Sequence, residues 1–264
     1  MPPTDESADE STDACADGSV YGTTGANARA GAVPAPPGGD AEDTLDLRLS
    51  EQLVALLAEG GPTVPPPVPD DVPGGGLLDF PAGWGPVTTP VGVFQLVPVR
   101  VERDLALISR WMNDPAVAAF WELAGPEAVT AAHLRAQLDG DGRSVPCLGV
   151  LGGAPMSYWE IYRADLDPLA RHYPSRPHDT GIHFLVGGVA DRGRRMGTTL
   201  LRAVSALILD SRPRCGRVLA EPDLRNTPSV SAFLSAGFRF SAEVDLDQKR
   251  AALMVRERAF RDLL

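Results

Sequence analysis

The chain has 264 residues, 44% of them apolar and 22% charged, with a net charge of −11. That length supports one sizeable core, and the acidity argues against a generic nucleic-acid binder. The charge is uneven: residues 1–92 hold 15 acidic and 2 basic side chains, the remainder 20 acidic and 22 basic.

Residues 1–43 are rich in Asp, Glu, Ser, Ala, Gly and Pro and nearly free of large apolar groups, so they read as a disordered acidic tail. "TLDLRLSEQLVALLAEGG" places Leu49, Leu53, Leu56 and Leu57 at helical spacing before a Gly stop. It reads as an amphipathic helix over 44–60, packing on the domain or docking a partner. Residues 61–80 form a Pro/Gly linker, and the folded domain follows from 81 to 264. "VFQLVPVR" reads as a strand, "ERDLALISRWM" as a helix stopped by "NDP", and "PEAVTAAHLRAQL" as a second helix. "SVPCLGVLGG" and "PMSYWEIYRA" read as a hairpin and "GIHFLVGG" as a strand. "RRMGTTLLRAVSALIL" is a helix with Met196, Leu200, Val204, Leu207 and Ile208 on one face. "GRVLAEP" is a buried strand and "NTPSVSAFLSAG" a helix capped by Asn226 and ended by Gly237. "FRFSAEVDL" and "RAALMVRER" close the chain as paired strands. The alternation gives an α/β plan around one mixed sheet flanked by helices.

Cys15, Cys147 and Cys215 lie far apart without C-x-x-C spacing, so neither a disulfide framework nor a metal site is expected. No secretory signal and no apolar run near the roughly 20 residues of a membrane span is visible, so a cytoplasmic setting is expected.

In "ADRGRRMGTTLL" a helix beginning near Arg195 presents unpaired backbone N–H groups and the positive end of its dipole. Gly193 and Gly197 allow close backbone approach, and Arg192, Arg194 and Arg195 add charge. The turn is either an anion cradle suited to pyrophosphate or a charged surface turn. It matches neither the P-loop nor the Rossmann pattern. Spacing further along bears on that choice: Phe233 follows Asn226 by seven residues, and Gly237–Phe238 by eleven.

With the R-x-x-x-x-G turn, these spacings resemble the GNAT acyl-CoA N-acyltransferases. "SRWMNDPAVAAFWELAG", "PMSYWEIYRADLDPLARHY", "DTGIHFLVGG", "VLAEPDLRN" and "DQKRAALMVRERAF" narrow the likeness. They resemble the siderophore-biosynthesis N-acyltransferases, the aerobactin-type hydroxylysine acetyltransferases and mycobactin-type lysine N-acyltransferases. The likeness runs from about Phe94 to Leu264 and implies a GNAT fold with acyl-CoA as co-substrate and no metal. Backbone groups of Arg192, Gly193, Arg194, Arg195, Met196, Gly197 and Thr198, with Asn226, would hold the cofactor. Those of Phe184, Leu185 and Val186 would face the thioester oxygen. Two departures stand out: Arg195 takes the family's central glycine position, and Phe233 takes a position that often carries a tyrosine acid.

The resemblance also implies His183 as general base supported by Asp223, with half-buried packing and helix capping as their rival roles. Trp121, Tyr158, Glu160 and Tyr162 would line the acceptor pocket or pack in the core. The implied reaction acylates the side-chain amine or hydroxylamine of lysine, ornithine or a related diamine. An acyl carrier protein is a further candidate donor. The alternatives are a GNAT enzyme acting on another small amine such as an antibiotic, and a CoA-binding module without turnover. No nucleic-acid partner is expected.

Overall fold

The computed structural model describes residues 77–79 and 81–263. The acidic tail, the helix over 44–60 and nearly all of the linker lie outside the described residues.

Eight strands form one sheet: β1 (Val87–Thr89), β2 (Gly92–Pro98), β3 (Ser144–Leu151), β4 (Ala154–Arg163), β5 (Thr180–Val186), β6 (Arg217–Ala220), β7 (Arg239–Leu246) and β8 (Lys249–Glu257). Their order is β1-β2-β3-β4-β5-β6-β8-β7. Every neighbouring pair is antiparallel except β5 and β6. That parallel pair is brief: Thr180 faces Val218 and Gly181 faces Leu219, and the pairing stops there. Beyond Gly181, β5 keeps β4 on one side, while among the described residues no strand pairs its other edge.

Helices α1 (Val101–Met112), α2 (Pro115–Trp121) and α3 (Glu127–Leu138) cover one face, and α4 (Met196–Ser211) and α5 (Thr227–Ser235) the other. The α1 stripe Ile108, Trp111 and Met112 packs on Leu148, Tyr158 and Leu185. The α4 residues Leu200, Val204, Leu207 and Ile208 pack on Phe94, Trp159, Ile161 and Ile182. Alternation along β4 and β5 explains the split, because successive side chains leave opposite faces of a strand. A third cluster around Tyr162, Leu219, Ala251 and Leu253 shares the first face, leaving a gap between it and the α1–α3 layer.

The strand β1 and the helix α2 are additional to the elements expected from the sequence. "NDP" is a start as well as a stop: the Asp114 carboxylate accepts from Ala116 N at 2.9 Å, and Pro115 occupies the first turn. Among the described residues no helix is long and apolar enough to cross a membrane.

Candidate active site

A cleft of about 450 Å³ opens where β5 and β6 part. That volume lies in the range of small-molecule sites. Its walls include Trp121, His183, Phe184, Glu221, Phe233 and Lys249.

His183 sits on the cleft floor, with 35% of its side chain exposed. Glu160 is its register partner on β4. Nδ1 of His183 donates to Glu160 Oε2 at 2.9 Å, and Nε2 donates to Glu221 Oε1. Carboxylates only accept, so both ring nitrogens carry protons and the ring is an imidazolium. Burial opposes that charge, but the Glu221 charge and the bonds to both carboxylates override it and raise the pKa to about 10. Burial likewise pushes both carboxyls up. His133 and His183 nevertheless hold Glu160 far below the usual range, and His183 chiefly brings Glu221 down to about 2.

Both carboxylates are braced from behind. Tyr158 donates to Glu160 Oε1 at 2.9 Å, and Tyr162 donates to Glu221 Oε2 at 2.7 Å. Burial, then the neighbouring glutamate, raises each phenol well above its ordinary pKa, so both stay protonated. Tyr158 and Tyr162 are buried and take no part in the cleft wall, which corrects the expectation that they line an acceptor pocket. Trp121 does reach the cleft, edge-on to His183 with centroids 6.2 Å apart. Lys249 Nζ stands 3.8 Å from Glu221 Oε1.

Asp223 lines the same cleft but makes no bond to His183. Arg225 takes its carboxylate, through NH2 at 2.7 Å and the backbone N–H at 2.7 Å, and holds its pKa down. The partner of His183 on this side is Glu221, two residues earlier. Capping is not the role of Asp223 either: Asn226 caps α5 by accepting from Ser229 N at 3.2 Å.

Phe184 stacks on Trp159 with centroids 4.8 Å apart, and Phe233 meets it edge-on at 5.7 Å. Leu185 points away, buried against the α1–α3 layer, so only its backbone is available to the cleft side.

The arginine turn divides in two. Arg192 braces structure: Nε donates to Val186 O at 3.0 Å, NH2 to Gly187 O at 3.0 Å and NH1 to Asp114 Oδ1 at 2.9 Å. Its backbone N–H is also taken, by Val189 O at 3.2 Å. The expected ligand role of Arg192 is therefore corrected. Gly193 and Arg195 are left-handed, at φ 77 and φ 58. Arg195 thus adopts the glycine-like conformation of the position it fills, and its carbonyl accepts from Thr199 N at 3.1 Å. The N–H groups of Met196, Gly197 and Thr198 then project from the helix end, as the first turn of any helix requires. The exposed Arg194 side chain folds back on Ala190 O. Gly197 packs beside Phe184 and Ala232, which joins the turn to the aromatic wall of the cleft.

This geometry suits acyl-CoA: a helix N-terminus for an anion, an unpaired strand edge beside an apolar wall, and a cation–carboxylate unit at the floor. Comparisons with known proteins agree. The acetyltransferase (GNAT) domain family matches residues 100–246, more than half of the chain. Lysine N-acyltransferase MbtK of Mycobacterium tuberculosis is 32% identical over 219 residues, 83% of this chain and 94% of that protein. MbtK of Mycobacterium sp. (strain MCS) is 38% identical over 160 residues, of which this chain spans 61% of its own length and 65% of the relative's. The N(6)-hydroxylysine O-acetyltransferase of Escherichia coli is 36% identical over 155 residues, 59% of this chain and 49% of that one. Among solved structures, an uncharacterized protein from Bacillus halodurans is 30% identical, covers 68% of this chain and 92% of its own, and has a TM-score of 0.64. Aminoglycoside acetyltransferase AAC(6')-Ib in complex with coenzyme A is 25% identical, covers 63% and 96%, and has a TM-score of 0.57. The chain belongs to the GNAT acetyltransferase family, and its curated relatives there include lysine N-acyltransferases and a hydroxylysine acetyltransferase.

Proposed function

We propose that this protein transfers an acyl group from acyl-CoA to the side-chain amine or hydroxylamine of lysine, ornithine or a related diamine, producing a hydroxamate siderophore precursor. The observation that carries the reading is His183, held between Glu160 and Glu221 on the floor of the cleft beside the unpaired edge of β5. The names and identities of the relatives favour this acceptor class over an antibiotic and favour turnover over mere binding.

CoA pyrophosphate would rest on the backbone N–H groups at the start of α4, with Gly193 and Gly197 permitting approach. Amides along Phe184–Val186 would face the developing oxyanion. The acceptor nitrogen attacks the thioester carbonyl, the C–N bond forms, the C–S bond breaks, and the electron pair leaves on sulfur. Phe233 has no hydroxyl to protonate that sulfur. A thiol pKa of roughly 8.5 makes departure as thiolate feasible. The nitrogen's proton ends on that thiolate, releasing CoA as free thiol, because His183, donating from both ring nitrogens, has no lone pair to receive it.

The doubly bonded imidazolium favours a hydroxylamine acceptor. A lysine ammonium, of pKa roughly 10.4, must lose a proton before it attacks, yet His183 already holds protons on both nitrogens at neutral pH. A hydroxylamine is neutral there and attacks directly. The exposed Arg194 and Arg195 at the start of α4 would also suit an acidic acyl carrier protein as donor, and the cytoplasm is the compartment that supplies either donor. Mass spectrometry of products from a panel of acyl-CoAs against lysine, ornithine, cadaverine and their N-hydroxy forms tests the reading. It predicts acylated products, with the hydroxylamines reacting faster. A panel without acylated product would overturn it.

A further inference from the structure

The geometry points to His133 as a positioning residue for acyl transfer: through its bond to Glu160 it aims that carboxylate at His183. This inference rests on the acyl-transfer reading above. His133 lies on α3, outside the strands that carry the chemistry, and 31% of its side chain is exposed.

Glu160 is the hub. Its Oε1 accepts from His133 Nε2 at 2.6 Å, Gln137 Nε2 at 2.7 Å and Tyr158 Oη at 2.9 Å. Its Oε2 is left for His183. Each oxygen of a carboxylate offers about two lone-pair sites, so these three donors saturate Oε1 and hold the group in its present rotation. Rotation would break all three bonds and turn Oε2 away from His183. His133 and Gln137 are four residues apart and share one face of α3. Ser144 donates to Gln137 Oε1 at 2.7 Å and holds the amide with its nitrogen toward Glu160. The helix α3 is thereby joined to the floor of the cleft, and His133 supplies the shortest of the three bonds.

A histidine that only stabilised the fold would satisfy the same contact, so the test must read catalysis through Glu160. His133→Leu removes the donor, and His133→Gln returns one at the position of Nε2. With N6-hydroxylysine and acetyl-CoA, His133→Leu is expected to lower kcat by about 3- to 10-fold, as for the loss of one net hydrogen bond. KM for acetyl-CoA stays unchanged, and His133→Gln recovers most of the rate. In a Glu160→Gln background, His133→Leu has no further effect, since it acts through Glu160. Gln137→Leu gives a smaller loss with the same dependence on Glu160 and serves if His133→Leu does not fold. A His133→Leu rate equal to wild type, a loss that persists undiminished in the Glu160→Gln background, or no recovery in His133→Gln overturns the inference. Absence of transfer by the wild type overturns the functional reading itself, a distinct outcome.

Discussion

Glu160 and His183 face each other across β4 and β5, and their side chains bond at 2.9 Å. Glu221 occupies the other nitrogen of the same ring. The first consequence is that Glu221, and not Asp223, is the carboxylate that matters to His183. Glu221→Gln leaves a buried imidazolium with one carboxylate and is expected to lower kcat by about 10-fold, as for the loss of one hydrogen bond to a charged group. Asp223→Asn, which disturbs only the exposed Arg225, should change kcat little. Steady-state kinetics of the two variants side by side check this, and a larger loss for Asp223→Asn would reverse the assignment.

The stability of the protein should carry the signature of His183. Its folded pKa of about 10 lies above its unfolded value of 6.5, so the folded state binds the proton more tightly. The stabilisation is complete below about pH 6.5, declines as pH rises from there, and is gone once pH passes about 10. Thermal melts of wild type and His183→Gln across pH 6 to pH 11 should therefore converge on the alkaline side. A constant difference in Tm across that range would show that the ring is not held as a cation.

Gly181 makes room for the brace on Glu221. A Cβ there would overlap the Tyr162 ring. Gly181→Ala must displace the Tyr162 ring and with it the bond to Glu221. Overpacking of this kind costs about 1–3 kcal/mol. Urea unfolding should show that loss, accompanied by reduced activity, whereas Gly193→Ala, where nothing lies within 4 Å, should leave the His183 site intact.

Arg192 ties the turn to β5 and to the cap of α2. Arg192→Ala should destabilise by about 1.5–3 kcal/mol, the range for hydrogen bonds of a charged group, and weaken CoA binding indirectly. Arg192→Lys should recover little, because a point charge does not reproduce a three-way fork. Calorimetric titration with CoA and thermal melts check both. Lys restoring full affinity would mean that charge alone is required.

The strand–helix alternation was legible because periodicity and capping residues report local structure directly, whereas His183 was singled out only through the family resemblance of "GIHFLVGG", since a lone histidine on a strand reads equally as half-buried packing. Pro115 shows the limit: the same Asp-Pro pair ends one helix and begins another, and only the 2.9 Å bond to Ala116 N distinguishes them. Glu221 was missed because nothing in "AEPD" says which acid faces the histidine. The register does: Thr180 pairs Val218 and Gly181 pairs Leu219 in parallel, and the same offset of 38 carries His183 to Glu221. That offset belongs to the sheet and is not encoded in any one segment. Arg192 misled for a related reason, since a guanidinium beside a glycine turn looks alike whether it holds a phosphate or two backbone carbonyls. His133 carried no signal, because its partner lies 27 residues away on another element.

The central claim is acyl transfer driven at the His183 floor of the cleft, and a coupled assay tests it most directly. Acetyl-CoA and N6-hydroxylysine would be incubated with wild type and His183→Ala, with free CoA thiol and acylated acceptor quantified in the same samples. Wild type should form thiol and acylated product one for one, and His183→Ala, facing an acceptor that needs no deprotonation, should do so moderately more slowly, by about 10-fold, below the range for loss of a general base. Thiol release without acylated acceptor, or equal rates for the two proteins, would contradict it.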